Sequence, residues 1–310
     1  MSLSLLDPLL VRWRALHGNT RGAIWLLIAG FITTVQGAVV KVVGPEMHTF
    51  QVVFLRCAFG ASILNPFAIG RGLMNMATGR LRLHVARAMI SVMSMGCSFY
   101  ALARLPLADA VAYAFTVPLF MIPLAVLLLS EPVRWRRWTA TGVGFLGVLV
   151  MADPTGAIDE AIPVALLSAL FTALVYIVVK RLSETEPVLT VLTYFSVLGA
   201  TLSLGPALAV WMDPSADQLG LLFLVGLTGT LSQLFAVRAW IVAEATAVAP
   251  FDYSRLLYAA ILGALFFGEI PGWNTALGAT IIVAATLYIA RREALLRRKA
   301  ATEKPGEPAS

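Results

Sequence analysis

Residues 23–41 read AIWLLIAGFITTVQGAVVK, and residues 162–180 read IPVALLSALFTALVYIVVK. Each is an apolar run that closes on Val-Val-Lys, at Lys41 and Lys180, and each carries a threonine, Thr33 or Thr172, eight positions before that lysine. Runs this long and this poor in charge read as membrane-crossing helices, which need about 20 apolar residues. Two of them built to one plan, in opposite halves of the chain, indicate an internal repeat. Further landmarks recur in the same order. Ala108-Asp109-Ala110-Val111-Ala112 matches Ala245-Thr246-Ala247-Val248-Ala249. Each is followed by an apolar span ending at a glutamate, Glu131 or Glu269, and then by Trp138 or Trp273 and a Gly-containing apolar run.

The rest of the chain agrees with a membrane setting. Of its 310 residues, 59% are apolar and 13% charged, and the mean hydropathy is +0.84. A soluble domain is about half apolar and about one quarter charged. This composition excludes a disordered chain, a fibrous protein and an ordinary soluble enzyme, and leaves a polytopic, all-α membrane protein. Ten spans are predicted, at 22–43, 49–69, 84–104, 107–129, 137–152, 162–180, 187–211, 219–243, 247–267 and 273–290. Arg12, Arg14 and Arg21 precede the first run, which is too long for the apolar core of a signal peptide and reads as a retained span. The stretch from Leu3 to Leu16 mixes leucines with arginines, as an amphipathic segment on the membrane surface would. Cys57 and Cys97 lie in apolar runs and form neither a disulfide framework nor a metal-ligand spacing.

Each half holds five spans, so the second half enters the membrane from the opposite side. The fold class expected is therefore ten transmembrane helices arranged as two inverted five-helix repeats. The divisions are an N-terminal segment 1–21, repeats at 22–152 and 162–290, and a tail 291–310 expected to be disordered. Inverted repeats are a hallmark of secondary transporters, with the substrate site near the midplane between the halves.

Basic residues set the orientation. One side collects Arg12, Arg14, Arg21, Arg71, Arg80, Arg82, Arg134, Arg136, Arg137, Lys180, Arg181 and the six basic residues from Arg291 to Lys304. That is 17 of 23 Lys and Arg, against Lys41 and Arg104 on the other side, whose loops are acidic. Both termini are accordingly expected in the cytoplasm of a bacterial inner-membrane protein. The net charge of +6 follows from that bias and calls for no nucleic acid partner.

Charges within spans cost at least about 2.5–3.5 kcal/mol each on insertion scales, so each needs a partner or a purpose. Arg56, in the second span, either lines a cavity for an anionic group or is a structural arginine paired to backbone or a buried acid. Asp252 and Arg255 share a helix face; either they neutralise each other, or Asp252 titrates during transport with Arg255 tuning it. Arg238 either meets the substrate or snorkels to the surface, and Arg87 reads as a snorkelling residue near a span end. Tyr100, Tyr113, Tyr253 and Tyr258, with Phe115 and Trp240, offer aromatic faces for an amphipathic solute. Gln36 and Gln233 are polar candidates beside them. Pro118 and Pro123 would bend the fourth span, as a gate or as a static kink. Gly142, Gly144, Gly147, Ser91, Ser94 and Gly96 suit close helix packing. His17, His48 and His84 are placed at loop positions. No metal-binding His motif, nucleophile elbow or Walker phosphate loop is present, so neither a catalytic site nor a cofactor is expected.

Two stretches carry a resemblance. The first runs Phe99-Tyr100-Ala101-Leu102-Ala103-Arg104-Leu105-Pro106-Leu107-Ala108-Asp109-Ala110, continuing to Pro118-Leu119-Phe120, Leu129-Ser130-Glu131 and Arg136-Arg137-Trp138. The second runs Ala249-Pro250-Phe251-Asp252-Tyr253-Ser254-Arg255-Leu256, continuing to Phe267-Gly268-Glu269. In these the chain resembles the drug/metabolite transporter superfamily, in its ten-helix EamA-type branch, over about residues 20 to 292. The resemblance implies a two-repeat transporter with a central cavity, among relatives that export amino acids or import riboflavin or S-adenosylmethionine. The Gln51-Val52-Val53-Phe54-Leu55-Arg56 segment is more similar to the riboflavin and S-adenosylmethionine branches. Glu131 and Glu269, which match the family's glutamates, are expected to serve helix ends.

The function expected is a secondary transporter of a small amphipathic metabolite, driven by a proton or solute gradient or by the substrate's own. A lipid-linked substrate flippase of the same fold and a non-transport membrane partner are the alternatives. Arg56 and Arg238 are expected to hold the polar end of the substrate, and Tyr100, Tyr113 and Tyr258 its apolar part. Asp252, Arg255 and Pro118 are expected to couple and gate. Lipid-facing helices serve a monomer or a homodimer equally.

Overall fold

The computed structural model describes residues 16–70, 78–129, 135–152, 159–243 and 250–302. All regular structure among them is helical. The first repeat contains α1 (Gly18–Val43), α2 (Thr49–Gly70), α3 (Leu81–Arg104), α4 (Leu107–Ala114), α5 (Val117–Leu129) and α6 (Trp135–Ala152). The second contains α7 (Ala161–Leu182), α8 (Val188–Ala209), α9 (Ala216–Val242), α10 (Ser254–Phe267) and α11 (Trp273–Thr302). Helices α4 and α5 are two pieces of one span, which gives ten spans among the described residues. Six helical stretches are long and apolar enough to cross a bilayer unaided: Gly18–Val43, Leu81–Arg104, Leu107–Leu128, Ala161–Leu182, Val188–Ala209 and Ala216–Ala239. Large apolar side chains lie on the outer surface, among them Leu127, Leu146, Ile241, Leu257, Leu265 and Phe266, as lipid rather than water requires.

The break between α4 and α5 has a local cause. Pro118 has no N–H to give and would clash with the carbonyl four residues earlier, that of Ala114, where α4 stops. Thr116 bridges the gap by donating its hydroxyl to the carbonyl of Tyr113 at 2.7 Å. At the far end, α11 continues to Thr302, although the sequence reading closed the span at 290 and expected disorder in 291–310. Residues 291–302 are rich in Ala, Leu, Arg and Lys, all strong helix formers, and the helix propagates through them. The expected surface segment from Leu3, the glutamate Glu131 and the landmark Ala245–Ala249 fall on residues outside those described.

Helix packing displays the inverted repeat directly. The closely packed pairs α1–α9 and α3–α7 exchange when the halves are swapped, as do α2–α9 and α3–α8. The pairs α2–α8 and α6–α11 map onto themselves. The seams are built from small and hydroxyl residues. Across α3–α7, Ser94 and Ser168 each donate to the other's backbone carbonyl, at 3.1 and 3.0 Å, and Ser94 also bonds Thr172 at 2.7 Å. Across α6–α11, Gly147 faces Gly278 so closely that a Cβ on Gly278 would stand 2.5 Å from the Gly147 carbonyl oxygen. Gly144 lies against Leu119, whereas Gly142 and Gly96 meet nothing within 4 Å.

One exchange fails. Helices α1 and α3 pack together near the end of the bundle that carries Val43 and Arg104. Gly37 lies against Leu102 there, and Gly44 against Ala103. The equivalent helices, α7 and α9, are not closely packed among the described residues. Their meeting point would be at the other end, which carries both chain termini. The α1–α3 seam is thus drawn together at the end away from the termini and the α7–α9 seam is splayed at the terminal end, where Thr78 bonds Glu186 at 2.6 Å and Arg80 bonds the Arg181 carbonyl at 2.8 Å across the halves.

Gly278→Val should lower the unfolding midpoint in detergent by several degrees, in line with the ~1–3 kcal/mol of forced overpacking. An unchanged midpoint would show that α6 and α11 part readily at this point.

Candidate functional site

Arg56 sits seven residues into α2, about 10 Å along its axis, and is 4% exposed. Its guanidinium carbon lies 5.2 Å from the centroid of the Phe195 ring of α8. Arg87 of α3 reaches the same ring from 4.6 Å and is 7% exposed. Neither arginine has an ion pair among the described residues, and the Nε of each is buried without a hydrogen-bond partner. Arg87 donates one hydrogen bond, from Nη1 to the Val191 carbonyl at 3.2 Å. A cation over an aromatic face gains about 0.5–2 kcal/mol. Desolvating an ion in a protein interior costs several kcal/mol. Phe195 alone therefore leaves these two cations under-compensated.

Helix α9 completes this group. Gly229 presents bare backbone, and a Cβ there would stand 2.6 Å from Gln36 Nε2 and 3.0 Å from Arg56 Nε. Gln36 donates from Nε2 to the Val225 carbonyl at 3.2 Å, tying α1 to α9. Gln233 lies one turn beyond Gly229 on the same face of α9. Cys57 is a buried free thiol beside Gly199 of α8.

A second group forms where α10 begins. Arg255 pairs with Asp252 at 3.1 Å, with both side chains partly exposed. The guanidinium stands 5.0 Å from the Phe115 ring centroid, and Phe115 packs on Tyr253 at 4.8 Å. Gly30 of α1 allows the close approach, since a Cβ there would meet Arg255 Cγ at 3.0 Å. Tyr176 of α7 lies within electrostatic reach of both Asp252 and Arg255, although α7 and α10 are not closely packed. It keeps 55% of its surface accessible. Counted back from the Val-Val-Lys landmarks, Tyr176 is the repeat equivalent of Gly37, which is enclosed at the drawn-together end. Tyr176 therefore sits at the corresponding depth of the half whose α7–α9 seam is apart.

The end away from the termini is latched across the halves. Lys41 of α1 pairs with Glu269, which follows α10, at 2.7 Å. Glu269 also accepts the backbone N–H of Leu107 at 2.8 Å, placing a carboxylate on the N-terminus of α4. Gly268 makes this possible by ending α10 at φ +66°, a conformation that favours glycine. Gln51, fully buried, donates to the Met212 carbonyl at 2.6 Å and accepts from its N–H at 3.1 Å. Glu46 accepts from Gln218 at 2.7 Å.

The remaining candidates are dispersed. Tyr113 is 2% exposed inside the apolar core with Leu105, Phe115, Met151 and Ile282. Tyr100 hydrogen-bonds Arg104 at the far end of α3. Tyr258 meets Phe31 edge to face at 5.6 Å. Arg238 is exposed near the terminal end of α9, 5.7 Å from the Trp25 ring centroid, and is not gathered with Arg56. The side chain of Trp240 is not among those described, and Pro118 stands at the start of α5.

Arg87, Phe195, Tyr176 and His84 were not selected from sequence. Beginning the third span at 84 left Arg87 near an end, but α3 begins at Leu81 and carries it a turn deeper. His84, expected in a loop, is instead in the first turn of α3, 1% exposed and stacked on Tyr194 at 4.4 Å.

Comparison with known proteins places this architecture. The EamA-like transporter family model matches twice, over residues 20–152 and 160–291. The chain belongs to the EamA-like transporter family. A relative named S-adenosylmethionine uptake transporter, from Rickettsia prowazekii, is 34% identical over 276 residues, covering 89% of this chain and 94% of that protein. A riboflavin transporter of Rhizobium johnstonii is 31% identical, over 90% of this chain and 94% of its own. A pseudopaline exporter of Pseudomonas aeruginosa is 29% identical, over 87% and 96%. A crystal structure 15% identical in sequence superposes with a TM-score of 0.60, covering 89% of this chain and 98% of its own, and shares the fold. As a family member the chain is a multi-pass small-metabolite transporter.

Tyr176→Cys, in a background with Cys57 and Cys97 replaced by alanine, should react readily with a membrane-impermeant maleimide added on the terminal side. Gly37→Cys should be protected from either side. Equal protection of the two would contradict the splayed terminal end.

Proposed function

We propose that this protein is a secondary transporter carrying a small amphipathic metabolite across the bacterial inner membrane by alternating access, with both termini cytoplasmic. The observation that carries this reading is the unequal closure of two equivalent seams, α1–α3 packed and α7–α9 apart, around a central cationic and aromatic site. Exchanging which seam is closed turns one opening into the other, as two inverted repeats permit. With the basic ends inside, the described conformation opens toward the cytoplasm.

Relatives named for S-adenosylmethionine, riboflavin and pseudopaline support a solute that combines apolar or planar parts with polar ends. They include an uptake transporter and an exporter, so direction follows from gradients rather than from the fold. Asp252 is the coupling group in this reading. It faces Arg255 on its own segment and the neighbouring Tyr253, with Tyr176 opposite on α7. Protonation of Asp252 would release Arg255 and loosen the junction of α10 with α1 and the α4–α5 turn.

Proteoliposomes containing the purified protein should take up radiolabelled S-adenosylmethionine or riboflavin saturably and above empty vesicles. Asp252→Asn should keep flux at one fixed pH while flattening its pH profile. An unaltered profile with full activity would remove Asp252 from coupling, and a lipid-analogue flip without soluble flux would favour the flippase.

A further inference from the structure

We propose that Arg56 and Arg87 together form an anion site on the ring of Phe195 that takes a carboxylate of the transported solute. This deepens the transporter reading and rests on it. Both guanidiniums are more than nine-tenths buried, both direct positive charge at one ring, and each repels the other. Two like charges gathered on one apolar surface with no ion pair among the described residues form an incomplete group. A carboxylate completes it, because its two oxygens accept paired N–H donors from planar guanidinium forks. The two Nε–H groups without partners are donors of the kind such an anion needs.

The surroundings suit an incoming group rather than a resident one. Gly229 removes the side chain that would push Arg56 and Gln36 off the α9 backbone, so both polar side chains approach α9 closely at that level. The site draws on α2, α3 and α8, with α1 and α9 beside it, and so on both repeats at once. An anion held here touches both moving halves. Arg87, assigned to the surface by the sequence, becomes a substrate residue in this account. Arg238, exposed beside Trp25, does not take part.

The matched probes are S-adenosylmethionine and its decarboxylated counterpart, which differ in the one carboxylate. Wild-type protein in detergent should bind the first at least ten times more tightly, a difference of about 1.4 kcal/mol. Arg56→Gln and Arg87→Gln should each erase that preference while a loop variant, Ser183→Ala, keeps it. Equal binding of both probes by the wild type would overturn the site, as would binding of riboflavin alone. A second measurement needs no ligand. Arg56→Met and Arg87→Met should leave unchanged or raise the unfolding midpoint of the ligand-free protein, since each removes an uncompensated charge. A clear fall in both would make the arginines structural and overturn the proposal. Carboxylate-dependent binding without flux in proteoliposomes would fault the transport reading and leave the site standing.

Discussion

Lipid supplies no hydrogen bonds, so each polar group along these helices must find its partner on another helix or on its own backbone. That constraint organises the whole bundle. Thr33, Thr34, Ser62, Ser203 and Thr230 return their hydroxyls to carbonyls one turn back in their own helices. Ser94, Ser168 and Thr172 bond across α3–α7. Gln51 imitates a backbone pair with Met212. Among the described residues the Nε groups of Arg56 and Arg87 are buried without a hydrogen-bond partner, as are both ring nitrogens of His84, Asp109 Oδ1 and Thr193 Oγ1, and only the two arginines meet at one ring.

The same constraint explains why the two ends differ. A seam packed at one end removes solvent from that half of the interior, and the equivalent seam cannot be packed at the same time without sealing the site from both sides. Lys41, Glu269 and the N-terminus of α4 hold the end away from the termini with charge-assisted bonds. Such bonds are strong in a dry setting and lose much of their advantage once water enters. A latch of this type is suited to open when its surroundings are hydrated, as the proposed exchange of closed and open seams would require.

Much of this was legible in the sequence, for reasons that have limits. Hydropathy is a local property, so the spans emerged from runs of residues. The repeat emerged because Val-Val-Lys, the alanine block and the tryptophans recur in the same order in each half. Side-chain depth is different, because it depends on where a helix starts. Three residues at the head of α3 changed Arg87 from a surface cation into a central one, and placed His84 in the core. Repeat position also misled. Tyr113 and Tyr253 occupy comparable places in sequence, yet Tyr113 is sealed in the core while Tyr253 packs at the open junction beside Asp252 and Arg255. Phe195 carries no sequence signal of its own, since only the fold brings two arginines to its ring.

The central arginines also bear on which states of the carrier are easily reached. Passing from one opening to the other requires a moment in which both seams are closed and the interior is driest. Uncompensated charge is at its most costly there, because the penalty grows as water leaves. An empty carrier meets that penalty in full with two guanidiniums exposed to each other. A carrier holding a carboxylate between them meets much less of it, because the anion supplies both countercharge and acceptors. With the proposed anion site, the loaded protein would cross more readily than the empty one, and the solute would become part of the machinery that moves it.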